Sequence, residues 1–256
     1  MKRPALQSPS LPADGPPNPA PFPYRDYVGA KSALMAALTA RPFYGQVTGP
    51  SGSGKTSLVR DLSATVDRHQ YQVIYLSCSK ASLLGIVRFL AQALRVTPRR
   101  SCLETSRALS DAIKAHPARF LLWVDEAEAL GADTLGEIRT LAESDHEHGQ
   151  LFSLVLCGLP ELRSLLDATP LFPLKRRITL RCSLEGLRRD ELGSFLVHRF
   201  GSDASRLPEP LRDEIFERTR ATVALVDRVA RPALNRAGNS VVTDEHLREA
   251  IDVTGL

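Results

Sequence analysis

Short runs that are apolar on successive residues punctuate the chain at Tyr44 to Thr48, Val73 to Cys78, Phe120 to Val124 and Leu151 to Cys157, with Arg177 to Cys182 as a weaker fifth. Runs without alternation suit strands covered on both faces. Between them lie amphipathic stretches that predict helices over Ala30 to Ala40, Lys55 to Arg68, Ser82 to Leu94, Glu104 to Lys114, Asp133 to Ser144 and Glu161 to Asp167. Strands alternating with helices predict an α/β core, a five-stranded parallel sheet wound by helices. After Cys182 only helical patterns remain, over Arg188 to Phe200, Glu209 to Arg220, Val223 to Ala237 and Asp244 to Asp252. They predict a small all-helical lid domain. No internal repeat is visible.

The start of the chain behaves differently. Pro4, Pro9, Pro12, Pro16, Pro17, Pro19, Pro21 and Pro23 crowd a stretch with few large apolar side chains. Such a segment cannot bury enough surface to offset its ordering entropy. The expected organisation is therefore a disordered tail over residues 1–23, a sheet domain over 24–182 and the helical domain over 183–256.

Composition changes little: 43% hydrophobic and 24% charged residues are ordinary for a globular protein, and a net charge of +4 permits nucleic acid without demanding it. No apolar run approaches the roughly 20 residues that span a bilayer, and the N-terminus lacks the apolar stretch of a secretory signal, so the expectation is a cytoplasmic protein without membrane insertion. Cys78, Cys102, Cys157 and Cys182 show no Cys-x-x-Cys spacing and read as free thiols. Asp145-His146-Glu147-His148, between regular elements and followed by Gly149, reads as a solvated loop rather than a metal site.

The candidate chemistry follows the first strand. Gly49-Pro50-Ser51-Gly52-Ser53-Gly54-Lys55-Thr56 fits the phosphate-binding loop pattern, with a strand before it and an amphipathic helix, opening on Lys55, Thr56 and Ser57, after it. Glycines let backbone N–H groups approach phosphate oxygens, and the helix directs its positive end at the same anion. Lys55 would contact the β- and γ-phosphates of ATP, and the Thr56 hydroxyl would ligate Mg²⁺. The run Phe120 to Val124 ends in Asp125-Glu126. Asp125 would hold the Mg²⁺ through water, and Glu126 would orient or deprotonate the attacking water.

These motifs, with Asp125-Glu126-Ala127-Glu128, Gly158-Leu159-Pro160-Glu161-Leu162-Arg163, Arg177-Ile178 and Val197-His198-Arg199-Phe200, resemble the AAA+ ATPases of the ExeA, TniB and TnsC group. The resemblance covers nearly everything from Tyr24 onward. It implies an ATPase with nucleotide held between sheet and lid domains at a subunit boundary, and homo-oligomeric rings or filaments assembled by ATP. It also implies an arginine reaching the γ-phosphate from a neighbouring subunit. Lys175-Arg176-Arg177 occupies that position, with Arg177 the first choice and Arg176 the second.

Two departures stand out. Leu159 occupies a sensor position that is polar in the group, and Ala224 stands where the lid arginine belongs, leaving Arg220 or Arg228 as substitutes. Both lower the expected turnover more than the expected binding.

The leading expectation is a transposition helper that assembles on double-stranded DNA and recruits a transposase. DNA phosphates would meet Ser79, Lys80, Ser82, Arg99 and Arg100. A secretion or envelope-assembly ATPase, and a slow ATP-dependent switch, remain the alternatives.

Overall fold

A computed structural model of the chain describes residues 20–40, 42–77, 82–144 and 149–256. It divides into two compact units. The first comprises Ala30–Thr48 and Lys55–Ser183; the second comprises the described residues up to Gly29, the six residues Gly49–Gly54 and Leu184–Leu256.

The first unit is built on five strands, β1 (Tyr44–Thr48), β2 (Tyr71–Ser77), β3 (Arg119–Asp125), β4 (Ser153–Gly158) and β5 (Ile178–Ser183). They pair in parallel in the order β2-β3-β4-β1-β5. All residues of β1 and β4, and all of β3 but its first, are buried, which explains their apolar runs. Leu122, Val124, Leu154 and Leu156 share one face and pack with Ile86 and Leu90 of α3 (Leu83–Ala93) and with Leu135 and Ile138 of α5 (Ala132–Ala142). Alternate residues Val47, Leu121, Trp123 and Val155 point to the other face and are just as buried.

The remaining helices of this unit are α2 (Lys55–Thr65), α4 (Cys102–Lys114), α6 (Glu161–Leu166), α7 (Phe172–Arg177) and most of α1, which runs Arg25–Ala40. Ser82 and Ser101 cap α3 and α4, each hydroxyl accepting from the backbone N–H three residues on. The expected fifth strand starts one residue later than its pattern suggested. Arg177 closes α7, a helix of six residues that the pattern did not reveal.

The second unit contains α8 (Arg189–Phe200), α9 (Glu209–Thr219), α10 (Val223–Ala237) and α11 (Asp244–Thr254). The Arg189 guanidinium forks onto Asp213 and Glu217 and stacks 4.8 Å from the Phe216 ring. Asp227 Oδ1 takes both Arg199, at 2.5 Å, and Arg231, at 2.7 Å. Burial works against its charge, but these two hydrogen-bonded arginines prevail and hold its carboxyl below the ordinary range. Of the expected tail, residues 1–19 lie outside the described residues. Phe22, at its end, packs edge-on against Phe195, and the Ala20 carbonyl meets the His198 ring nitrogen at 2.9 Å. No described helix is long and apolar enough to cross a membrane.

Candidate nucleotide site

The loop after β1 depends on its glycines. Gly52 and Gly54 have φ of +82° and +101°, where L side chains are strained. A Cβ on Gly49 would lie 2.4 Å from the Leu184 carbonyl oxygen, and one on Gly52 would lie 2.6 Å from the Ala224 Cβ. Two donors hold the loop's carbonyls. The Ala224 N–H, in the first turn of α10, donates to Gly52 at 3.1 Å, and the Tyr24 hydroxyl donates to Ser53 at 2.6 Å. The first of these satisfies an N–H that a helix start would otherwise leave orphaned. Tyr24 is buried; burial, then the charges of Asp26 and Glu191, push its phenol well up, so it stays a donor. Ser53 is fully buried and its hydroxyl has no partner among the described residues.

At the end of β3, three groups converge on Asp125. Its Oδ2 accepts from the Tyr75 hydroxyl at 2.6 Å and the Thr56 hydroxyl at 3.4 Å, and its Oδ1 accepts the Glu126 N–H at 3.0 Å. Nothing in the sequence marks Tyr75, one more large residue in an apolar run. Its phenol is pushed up by burial and then by the Asp125 hydrogen bond. Cys157 of β4 is fully buried; burial raises its thiol strongly, Asp125 adds to the effect and Lys55 opposes it. Lys55, Thr56 and Ser57 open α2 half-buried. The hydroxyl and carboxylate oxygens of Thr56 and Asp125 are the hard donors that Mg²⁺ prefers.

Glu126 is exposed and left-handed, with φ +54° and ψ 38°. A non-glycine residue held there costs about 1–2 kcal/mol, a strain that clusters at functional positions. Two residues on, Glu128 presses a buried carboxylate oxygen, unpartnered among the described residues, against Gly158, where a Cβ would be 1.9 Å away. Leu159 follows with no polar group to offer. Arg163 reaches back from α6: its Nε donates to Thr48 Oγ1 at 3.0 Å and its Nη2 to Ser183, joining the ends of β1 and β5.

Arg177, at the last position of α7, is 63% exposed and pairs through Nε with Glu143 Oε1 at 3.2 Å. Arg176 instead stacks 5.9 Å from Phe172. Arg228 is engaged with the Thr254 carbonyl, and Arg220 closes α9 in a left-handed conformation. Of the residues expected to meet DNA, Ser79 and Lys80 lie outside the described residues, as do residues 145–148, expected to form a solvated loop, and Ser82 is the α3 cap. Arg99 and Arg100 are exposed between α3 and α4, beside exposed Arg95, which holds a φ of +54°.

A parallel sheet ordered β2-β3-β4-β1-β5, with a glycine loop after β1, an acidic pair after β3 and a helical C-terminal part, is the α/β P-loop AAA+ fold. Residues 44–166 match the AAA domain family. Among solved structures, the chain is similar to Cdc6p of Pyrobaculum aerophilum, with 16% identity and a TM-score of 0.69 over 95% of this chain and 70% of that one. It is also similar to the ORC1 protein of Aeropyrum pernix in complex with DNA, with 17% identity and a TM-score of 0.63 over 92% of this chain and 66% of that one. The RuvB Holliday junction branch migration motor of Thermotoga maritima gives 18% identity and a TM-score of 0.56 over 89% of this chain and 68% of that one. At these identities the likeness is one of fold, and the chain spans about two thirds of each relative's length. No curated protein sequence matches it.

Proposed function

We propose that the protein binds ATP with Mg²⁺ and hydrolyses it to ADP and phosphate. The observation that carries this is the convergence of the Thr56 and Tyr75 hydroxyls on Asp125, one residue before the left-handed Glu126. Gly49, Pro50, Ser51, Gly52, Ser53 and Gly54 wrap the phosphates, and Lys55, Thr56 and Ser57 hold them from the helix start. Thr56, and Asp125 through water, would hold the Mg²⁺, which would supply positive charge against the phosphate oxygens. Glu126 orients the attacking water and takes its proton. Arg177 of a neighbouring copy steadies the transition-state charge, a contribution of roughly 10³ to 10⁵ in rate, so an isolated copy turns over slowly.

The wider role is a cytoplasmic, DNA-directed helper in the manner of the ExeA, TniB and TnsC group, assembling as a homo-oligomer on double-stranded DNA and engaging a transposase. Exposed Arg95, Arg99 and Arg100 on the α3–α4 connection support a phosphate-gripping surface without base reading. The ORC1 protein in complex with DNA supports the same direction. A second reading, a slow ATP-dependent switch, is favoured by one contact: Ala224 sits against Gly52, so the place of a lid arginine is taken by close packing.

ATP hydrolysis by the purified protein, with and without duplex DNA, across salt and protein concentration, separates the two. Stimulation that fades with salt and rises steeply with protein supports the helper. Turnover indifferent to DNA supports the switch. Calorimetry on Lys55→Ala tests the base of both readings, and undiminished ATP affinity would overturn them.

A further inference from the structure

Glu143 directly follows α5, and donors from three elements meet on its carboxylate. Arg139 Nη1 pairs with Oε2 at 2.6 Å, Arg177 Nε pairs with Oε1 at 3.2 Å, and the Tyr44 hydroxyl donates to Oε1 at 3.4 Å. The carboxylate is 22% exposed while Arg177 is 63% exposed, so the anchor is set in the unit and the arginine reaches out from it. Tyr44 is buried in β1; burial, then the Glu143 charge, push its phenol well up and keep it a donor.

We propose that Glu143 is a positioning residue for Arg177, gripping the guanidinium by its Nε edge so that the terminal amino groups face a phosphate held by a second copy of the chain. The proposal rests on the reading of Arg177 as a finger acting in trans. A guanidinium has five N–H donors in a rigid plane, so fixing the Nε edge also fixes where the other four point. Arg139 on Oε2 and the Tyr44 hydroxyl on Oε1 tether both carboxylate oxygens and keep the carboxylate from rotating with the arginine. Without the Glu143 charge, Arg139 and Arg177 repel one another, and the mobile one of the two is Arg177. An ion pair this exposed adds little to stability. The gain is therefore in geometry, and turnover and folding respond differently to its loss.

The test mixes two variants. Lys55→Ala supplies Arg177 but binds no nucleotide, and Arg177→Ala binds nucleotide but supplies no finger; their mixture should hydrolyse ATP where neither does alone. Glu143→Gln is then added to one partner at a time. On the Lys55→Ala chain it should lower the mixture's turnover about tenfold to a hundredfold, the scale of a misplaced catalytic group. On the Arg177→Ala chain it should leave turnover within about twofold of the parent mixture. Equal losses from either chain, or none from the Lys55→Ala chain, overturn the positioning role while the finger reading stands. A parent mixture without activity overturns the finger reading, and this proposal with it.

Discussion

Replacing Gly52 by Ala perturbs the loop in two separable ways. The backbone at φ +82° strains an L residue by about 1–2 kcal/mol. The new Cβ also falls 2.6 Å from the Ala224 Cβ, well inside contact distance, and overpacking of this kind costs about 1–3 kcal/mol. Gly52→Ala should therefore destabilise the protein by about 2–5 kcal/mol in urea denaturation and weaken ATP binding in calorimetry. Ala224→Gly alone should cost about 0.5–1 kcal/mol, the ordinary difference within a helix. Combined, the two changes remove the steric part and leave the backbone strain, so the double variant should recover about 1–3 kcal/mol relative to additivity. Additive losses would refute the close contact between loop and α10, and a Gly52→Ala protein as stable as its parent would refute the positive φ as well.

Glu126→Gln should keep ATP affinity and abolish turnover, whereas Glu126→Gly should abolish turnover while leaving urea stability equal or up to about 1 kcal/mol higher, because glycine adopts the left-handed backbone at little cost. Tyr75→Phe removes one of the two hydroxyls on Asp125 Oδ2 and should raise the Mg²⁺ concentration needed for tight binding of a fluorescent ATP analogue about tenfold, with Mg²⁺-free binding unchanged. Asp227 has a lowered carboxyl pKa in the folded state, so its contribution is complete above the unfolded value of about 3.9 and is lost as pH falls through the folded one. Asp227→Asn should accordingly flatten the acid side of the stability profile below about pH 4 and change nothing in its slope near neutrality, as followed by circular dichroism.

Strands β1, β3 and β4 were legible because both of their faces are covered, which writes each as a nearly unbroken apolar run, whereas β5, largely uncovered, left a weaker pattern. The loop and the acidic pair were legible because spacing carries their chemistry. Helix α7 was hidden: Pro170 and Pro173 punctuate Thr169 to Arg177, and a helix of six residues shows too little periodicity to read. That is why Arg177 looked like part of a strand. Tyr75 and Glu143 were invisible for another reason. Each acts through a partner distant in sequence, Tyr75 on Asp125 and Glu143 on Arg177, and no local pattern marks such a pair. The grouping of Gly49–Gly54 with Leu184–Leu256 belongs to the same class, since the contacts of Gly52 with Ala224 join segments that the order of residues keeps apart.

The order of the sheet also constrains how the chain is made. β1 has no pairing with β2, the strand that leaves the ribosome next; Tyr44 registers with Leu154 of β4 and Ile178 of β5. During vectorial synthesis the strand that carries the phosphate loop must wait for nearly the whole first unit before either flank is filled, while β2 and β3 can already pair. Such long-range closure is slow and leaves an apolar strand uncovered meanwhile. The Arg163 clasp between Thr48 and Ser183 closes the same seam. The glycine loop after β1 is thus framed late in translation, and a nascent chain halted before β5 carries the loop sequence without the frame that shapes it.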